Sequence, residues 1–165
     1  MKEGSARRTV LPMSSLTSID PQAPVTMRKN IIIHASAQTV WNVLANVNAW
    51  PTWQSEIPHA SLYGGLQPGS IIDWKNSGFS IRSVLQTVNP PLSLGWAGTS
   101  LGSSAIHVWK LESIDGHTIV SVEESMDGWL VNLMQRFVQR GLNRGTDHWL
   151  QALKRQAEDP GLPAS

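Results

Sequence analysis

The chain has 165 residues and a formal net charge of +1, from 13 Lys and Arg against 12 Asp and Glu. A chain of this length is expected to form one domain that buries roughly 70% of its unfolded surface. The balanced charge argues against a nucleic-acid partner, which would require a basic face. The chain has no cysteine and therefore no disulfide framework. No apolar run approaches the ~20 residues of a membrane span, so we expect no stable membrane association.

Composition divides the chain into three parts. Residues 1–26 are rich in Ser, Pro, Thr and Ala without a sustained period, which predicts a disordered leader. Residues 27–158 are predicted to form one ligand-binding domain, followed by a short tail at residues 159–165. The N-terminal sequence lacks the apolar segment of a signal peptide, which favours a cytoplasmic protein.

Tryptophan is unusually frequent, with eight Trp against one Tyr and two Phe. Large flat apolar side chains in this proportion suit a wall around a bulky organic ligand. Ordinary core filling explains each tryptophan equally well when it is taken singly.

The first half of the domain begins with a short strand and two short helices. The β-branched run Ile31-Ile32-Ile33 predicts a strand over residues 27–34. Ser36 is placed to cap a helix over residues 37–47. Residues 49–56 are predicted to form a second short helix or a turn.

Six segments with short alternating patterns follow, and turn residues separate them. They cover residues 59–63, 70–76, 79–88, 92–97, 104–114 and 118–126. Six consecutive strands joined by tight turns predict an antiparallel meander.

The C-terminal residues 128–158 carry a stripe of apolar and small residues spaced by threes and fours, which predicts one long α-helix. Such a helix would be ~45 Å long and would lie across a whole sheet. Gly141 and Gly145 are predicted to share the face of Phe137 and Trp149. Two glycines where a packed core would hold larger side chains predict a notch, and a notch that faces a sheet is a candidate ligand cavity.

The turn Ser77-Gly78 allows the register of one hairpin to be predicted. A two-residue turn places Trp74 opposite Ile81 and Asp73 opposite Arg82. The apolar pair then lies on one face and the charged pair on the other, which is self-consistent.

The turn Asp115-Gly116 sets the register of the last hairpin in the same way. It places His107 opposite Glu124 and Trp109 opposite Val122. The imidazole and the carboxylate should therefore share the side of the sheet that faces the long helix. A turn of odd length would reverse this pairing.

The order of these elements, together with several local motifs, resembles the START and polyketide cyclase superfamily, in particular its polyketide cyclase and dehydrase branch. The motifs are Ile33-His34-Ala35-Ser36, Val40-Trp41-Asn42-Val43-Leu44, Trp50-Pro51-Thr52-Trp53, Leu66-Gln67-Pro68-Gly69-Ser70, Val88-Asn89-Pro90-Pro91-Leu92-Ser93-Leu94-Gly95-Trp96, Ala105-Ile106-His107-Val108-Trp109 and Glu123-Glu124-Ser125-Met126-Asp127-Gly128. The resemblance covers about residues 27–157. It implies an α+β helix-grip fold, in which a curved antiparallel sheet wraps around the C-terminal helix, with a ligand cavity between the two.

His107 and Glu124 are the candidate catalytic residues. A carboxylate beside an imidazole fixes its tautomer and favours its protonated form. Such a pair could remove a proton next to a carbonyl and return it to a leaving hydroxyl, as aldol cyclisation and dehydration require. A purely structural role, in which the two groups satisfy each other in the sheet, stays open.

We predict a mid-sized hydrophobic organic ligand, bound without a cofactor. The predicted walls of its cavity are Trp74, Ile81, Leu85, Trp96, Trp109, Leu133, Phe137, Gly141 and Gly145. The first functional hypothesis is a cyclase or dehydratase, and the alternative is a non-catalytic protein that binds or transports a lipid or secondary metabolite. A third and weaker hypothesis is an interaction domain that docks a partner through exposed Trp50 and Trp53.

Two further patterns are weaker. Arg136, Arg140 and Arg144 repeat every four residues and could face an anionic ligand or a membrane surface, although a solvated helix flank explains them better. We predict no metal site, because there is no cysteine and no two histidines are spaced four apart on a helix.

Overall fold

The computed structural model describes residues 18–159, which form a seven-stranded antiparallel sheet and three α-helices. The strands are β1 (Val25–Ile33), β2 (His59–Tyr63), β3 (Ile71–Asn76), β4 (Phe79–Asn89), β5 (Ser93–Ser100), β6 (Ser103–Ile114) and β7 (His117–Asp127). The helices are α1 (Ala37–Ala45), α2 (Trp129–Leu133) and α3 (Gln135–Glu158), and a 3-10 helix covers Val47–Thr52. The strand order is β1-β7-β6-β5-β4-β3-β2. The predicted α+β helix-grip fold is confirmed, with every predicted strand present within three residues of its expected ends.

The β3–β4 hairpin has the predicted register. Both turn residues of Ser77-Gly78 have positive φ, 49° and 86°, as a tight two-residue hairpin turn requires. Trp74 lies opposite Ile81 on one face. Asp73 lies opposite Arg82 on the other, where Nη1 of the guanidinium is 3.2 Å from the carboxylate.

The packed part of the chain begins upstream of the predicted boundary at residue 27. Ile19 is buried, and the backbone N–H of Asp20 donates a hydrogen bond to Ser125 Oγ at 3.1 Å. The predicted disordered leader is therefore wrong for residues 18–26. The rest of that leader and the tail beyond residue 159 lie outside the described residues.

Helix α1 begins where the sequence predicts and ends two residues early. The Ser36 hydroxyl accepts a hydrogen bond from the Thr39 N–H at 3.1 Å, which satisfies one of the free donors of the first turn. The chain leaves the α conformation at Asn46, with φ −81° and ψ 70°, and continues as the 3-10 helix that carries Trp50. The inward face of α1 is the predicted one and includes Val40, Trp41 and Leu44.

The C-terminal segment is two helices and not the single helix that was predicted. Met134 separates α2 from α3 with φ −120° and ψ 30°, outside the helical region. The Met134 N–H still donates a hydrogen bond to the Leu130 carbonyl at 3.0 Å, so backbone hydrogen bonding continues into the break. No helix within residues 18–159 is long and apolar enough to cross a membrane.

Only the C-terminal half of α3 faces the core. Its buried residues are Thr146, Trp149, Leu150, Ala152, Leu153 and Ala157. Phe137, placed on the same stripe by the spacing, is 70% exposed. The reason is geometric, because each step of four residues turns a side chain about 40° past a full turn. Three such steps separate Phe137 from Trp149, so the two side chains point about 120° apart.

Glu158 fastens the end of α3 to the end of β1. Its Oε1 accepts a hydrogen bond from the His34 N–H at 2.6 Å and lies 2.9 Å from Lys154 Nζ. Burial raises the pKa of the Glu158 carboxyl, but the His34 N–H and the Lys154 ammonium together outweigh it and hold the pKa below its ordinary value. A depressed pKa in the folded state means that the carboxylate form stabilises the fold.

We therefore expect Glu158→Gln to lower the free energy of unfolding at neutral pH. This contribution is present above the unfolded-state pKa and is lost as the pH falls through the lower folded-state value. The stability difference between wild type and variant should shrink below about pH 4.3. Urea unfolding of both proteins across the acid range measures it, and a difference that grows on acidification would contradict the assignment.

Candidate functional site

His107 and Glu124 lie opposite each other on β6 and β7, as predicted. The Asp115-Gly116 turn that sets this register has positive φ at both residues, 47° and 81°. The same row of the sheet continues to Trp96 on β5 and Leu85 on β4. Because side chains alternate between faces along a strand, residues paired across a row share one face. This row crosses the face that is covered by the helices.

The His107–Glu124 pair is short and buried. Nδ1 of the imidazole is 2.7 Å from Oε2 of the carboxylate, and the two side chains are 6% and 13% exposed. The indole of Trp96 stacks on the imidazole with ring centroids 4.6 Å apart and planes within 4° of parallel. The imidazole therefore has a carboxylate at one edge and an aromatic ring against its plane.

Five tryptophans form what we call the tryptophan cluster, and three of their rings contact the His107 imidazole. They are Trp50 from the 3-10 helix, Trp74 from β3, Trp96 from β5, Trp109 from β6 and Trp149 from α3. Neighbouring rings in the cluster have centroids 5.3 to 6.4 Å apart. Each of the five is at most 6% exposed, so the cluster fills the space between sheet and helix.

Trp50 and Trp149 are the members that the sequence analysis did not assign to the site. Trp50 touches Trp74, Trp96 and Trp149, and its indole N–H donates to the Leu44 carbonyl at 2.9 Å. The expectation that Trp50 and Trp53 are exposed is wrong, since they are 0% and 4% exposed. The sequence pattern could have indicated Trp149 as a site residue, because it lies on the same helix stripe as Gly141 and Gly145.

Three buried nitrogens at the centre of the site have no hydrogen-bond partner within the described part of the chain. They are Nε2 of His107 and the indole Nε1 atoms of Trp109 and Trp149. The three rings are mutual neighbours, with centroids 5.4 to 5.6 Å apart. Leaving a buried polar group without a partner costs about 1–3 kcal/mol. Such atoms in one place are candidates for contact with a polar atom of a ligand.

The predicted cavity walls divide into two groups. Trp74, Leu85, Trp96 and Trp109 are buried in the core, and Ile81 packs against it. The indoles of Trp74, Trp96 and Trp109 pack against Trp149, with ring centroids 5.6 to 6.2 Å apart. Leu133 and Phe137 are 74% and 70% exposed and lie outside the cluster. Neither joins the buried residues of the predicted wall, because Phe137 points about 120° away from Trp149 on α3 and Leu133 belongs to α2, before the break at Met134.

The two glycines of α3 do lie beside open space. A Cβ at Gly141 would meet no atom within 4 Å, and one at Gly145 would come no nearer than 3.9 Å to Glu56 Oε2. Gly141 is exposed, so the predicted notch opens to solvent and is not an enclosed cavity. A second histidine–carboxylate pair borders it, with His148 Nδ1 3.3 Å from Glu56 Oε1. Neither His148 nor Glu56 belongs to the site predicted from the sequence.

A groove lies on the opposite, outer face of the sheet and not at the His107–Glu124 pair. Its volume is about 400 Å³. The lining residues include Arg82, Val84, Ala97, Ile106 and Ser125, which alternate along their strands with the residues of the row that contains His107 and Glu124. No group of three or more His, Asp or Glu side chains within residues 18–159 is arranged to hold a metal ion.

Comparison with known families agrees with this architecture. Residues 24–158 match the family described as polyketide cyclase / dehydrase and lipid transport. The chain belongs to this family. The match covers the whole sheet and all three helices, so the polyketide cyclase / dehydrase family accounts for nearly all of the described structure. No curated protein matches the sequence significantly.

Solved structures place the chain in the same fold. A hypothetical protein from Helicobacter pylori has a TM-score of 0.75 at 17% identity, over 95% of this chain and 99% of that chain. A START superfamily protein from Mycobacterium smegmatis has a TM-score of 0.67 at 16% identity, over 82% and 98%. The di-domain ARO/CYC protein StfQ from the steffimycin biosynthetic pathway has a TM-score of 0.70 at 14% identity, over 82% and 51%. At these identities the similarity shows the fold alone.

Proposed function

We propose that this member of the polyketide cyclase / dehydrase family binds a mid-sized, largely apolar organic molecule beside the tryptophan cluster and acts on it as a cyclase or dehydratase. The observation that carries the proposal is the buried His107–Glu124 pair, with its Nδ1–Oε2 distance of 2.7 Å and its free Nε2. Buried, coupled acid–base groups occur preferentially at functional sites. The apolar surroundings suit a polyketide-like or other fused organic skeleton.

The pair can supply both proton transfers that such a reaction needs. In the neutral imidazole, Nδ1–H donates to Glu124 and the lone pair on Nε2 faces the substrate. Nε2 takes the proton from a carbon next to a carbonyl, and the carbanion formed attacks a second carbonyl to close a ring. The imidazolium of His107 then returns its proton to the new alkoxide, which gives the aldol. For dehydration, Nε2 takes the remaining proton from the same carbon, the C–O bond breaks as the C=C bond forms, and the imidazolium protonates the departing hydroxide, which leaves as water. Glu124 stays ionised and steadies the positive ring throughout.

The buried indole N–H groups of Trp109 and Trp149 suit the oxygen on which negative charge develops. Both are donors only, and both lie next to His107 without a partner in the described structure. Donors that are fixed before the reaction stabilise an enolate more than they stabilise the ketone. Nε2 of His107 itself has less than 1 Å² exposed, so the proposal requires a ring of the cluster to move when substrate enters.

The second candidate is a carrier that holds a lipid or a secondary metabolite without changing it. The family description itself names lipid transport. The cluster would then serve only as an apolar surface, and the His107–Glu124 pair would only satisfy two buried polar groups.

Native mass spectrometry of the protein purified from its own host distinguishes these functions. Any bound compound is released by denaturation and identified. An aromatic or polyketide product would support the enzyme and supply the compound for kinetic tests. A mixture of fatty acids would overturn the enzyme proposal in favour of a general lipid binder.

Gly141→Leu tests whether the ligand binds at the predicted notch on α3. We expect the branched side chain to fill the notch and to weaken binding of the recovered compound at least tenfold, as loss of a well-filled subsite of a few carbons does. Gln151→Leu is the matched control, because it adds the same side chain to an exposed position of the same helix. Isothermal titration of both variants measures the effect. Equal affinity in the two variants would place the ligand elsewhere.

A further inference from the structure

Four large apolar side chains within nine consecutive residues of α2 and α3 are exposed to solvent. The exposed fractions are 67% for Trp129, 74% for Leu133, 41% for Met134 and 70% for Phe137. Leu101, at the tip of the β5–β6 hairpin, is 69% exposed. We call these five residues the apolar rim. Single exposed apolar residues are ordinary, but a concentration of them marks an interaction surface.

The apolar rim is continuous across two elements. The indole of Trp129 lies so close to Gly102 that an added Cβ there would be 2.3 Å from Nε1. The Leu130 N–H also reaches the Gly102 carbonyl at 3.4 Å. The hairpin tip that carries Leu101 is therefore held against the start of α2. On α3 the rim points about 120° away from Trp149, so it is not an unfilled part of the core.

Three arginines accompany the apolar rim on successive turns of α3. Arg136, Arg140 and Arg144 are exposed, and none forms an ion pair with any residue between 18 and 159. Arg140 and Arg144 follow Phe137 by three and seven residues, so they share its face of the helix. Exposed aromatic and aliphatic side chains together with arginines are the two groups that helices in a membrane interface use, and a long arginine side chain next to apolar residues can still reach the headgroups.

We propose that the apolar rim and these three arginines dock the protein reversibly on a bilayer surface that contains anionic phospholipid. Trp129, Leu133 and Phe137 enter the boundary between headgroups and acyl chains, where aromatic and aliphatic groups are stable. The arginines extend along the surface and pair with lipid phosphates, whose charge complements theirs. Their positive charge favours this occupant over an uncharged apolar partner. Docking of this kind is peripheral, so it needs no membrane-spanning helix.

Flotation of the full chain with vesicles tests the docking directly. We expect co-flotation with vesicles of phosphatidylcholine plus phosphatidylglycerol and little with phosphatidylcholine alone. Leu133→Gln/Phe137→Gln should reduce partitioning at least tenfold, because it removes two buried apolar groups from the interface. Arg136→Gln/Arg140→Gln should reduce it by roughly fivefold for each arginine at low salt. Raising the salt from about 0.1 M to about 1 M should weaken wild-type binding, since the Debye length falls from roughly 10 Å to 3 Å.

Matched variants elsewhere on the surface separate docking from general effects. Phe79→Gln removes an exposed aromatic ring from the β3–β4 hairpin, and Lys75→Gln/Arg155→Gln removes two exposed positive charges. Both should bind vesicles like wild type. Equal flotation with neutral and anionic vesicles, or equal losses in rim and control variants, would overturn the proposal. The proposal would also be overturned if the wild type did not float with vesicles and sedimentation showed a dimer that Leu133→Gln/Phe137→Gln dissociates. The apolar rim would then be a dimer interface.

Discussion

His107→Ala is expected to lower the rate of conversion of the recovered compound by about 10²–10⁴-fold, the usual contribution of a general acid–base group. Affinity for the compound should stay nearly unchanged, because most of the proposed contact surface belongs to the tryptophan cluster. The expected result is therefore a large fall in kcat with little change in KM. Single-turnover kinetics and direct titration of the compound measure the two effects separately.

The pair offers a second variant in case the alanine variant folds poorly. Removing the imidazole leaves the Glu124 carboxylate buried without its partner, which is itself destabilising. Glu124→Gln keeps the size and a hydrogen-bonding oxygen beside Nδ1 but removes the charge that would stabilise an imidazolium. We expect it to reduce kcat less than His107→Ala does.

His59→Ala is the control for general effects of removing a histidine, because His59 is exposed at the start of β2. It should convert the compound at the wild-type rate. Unaltered conversion by the double variant His107→Ala/Glu124→Gln would show that the catalytic assignment is wrong. A wild-type protein that binds the compound and returns it unchanged would identify the carrier.

Trp50→Ala is expected to reduce the free energy of unfolding by about 3–5 kcal/mol, the range for a large aromatic truncated in a packed core. Trp50 is fully buried and touches three other indoles, and its N–H satisfies the Leu44 carbonyl. The substitution removes these contacts and leaves a cavity bordered by rigid rings, which cannot collapse to fill it. Urea unfolding followed by circular dichroism measures the loss.

Trp129→Ala is the matched control, since it removes the same side chain from a position that is 67% exposed. Its effect on the free energy of unfolding should be within about 0.5 kcal/mol. If Trp50→Ala were no more destabilising than Trp129→Ala, the cluster would not be the core of the domain. The same pair of variants separates stability from membrane docking, because Trp129→Ala should weaken flotation while Trp50→Ala changes stability.

Local sequence determined the strands and their register. Ser77-Gly78 and Asp115-Gly116 fixed two hairpins, because only residues that tolerate positive φ close a turn of two. Side chains alternate along a strand, so a turn of known length determines which residues of the two strands lie opposite each other. His107 and Glu124 are one such pair. The candidate catalytic pair was therefore predictable from residues within one hairpin.

The composition of the site was less predictable, because its members come from distant parts of the chain. Trp50, Trp96 and Trp149 meet only when the 3-10 helix and α3 close over the sheet. The tryptophan count indicated a large aromatic surface but not whether it lines a cavity or fills one. That outcome depends on the distance between helix and sheet, which no local pattern encodes.

The sequence by itself determined the elements of this protein, the hairpin registers and the pairing of His107 with Glu124, because each of these depends on neighbours along the chain. Tertiary structure alone decided which part of the C-terminal stripe is buried. Spacing by fours drifts around a helix, so Phe137 faces solvent while Trp149 faces the core. A period in the sequence specifies a stripe, and only the packing of the other elements specifies where along that stripe the core ends.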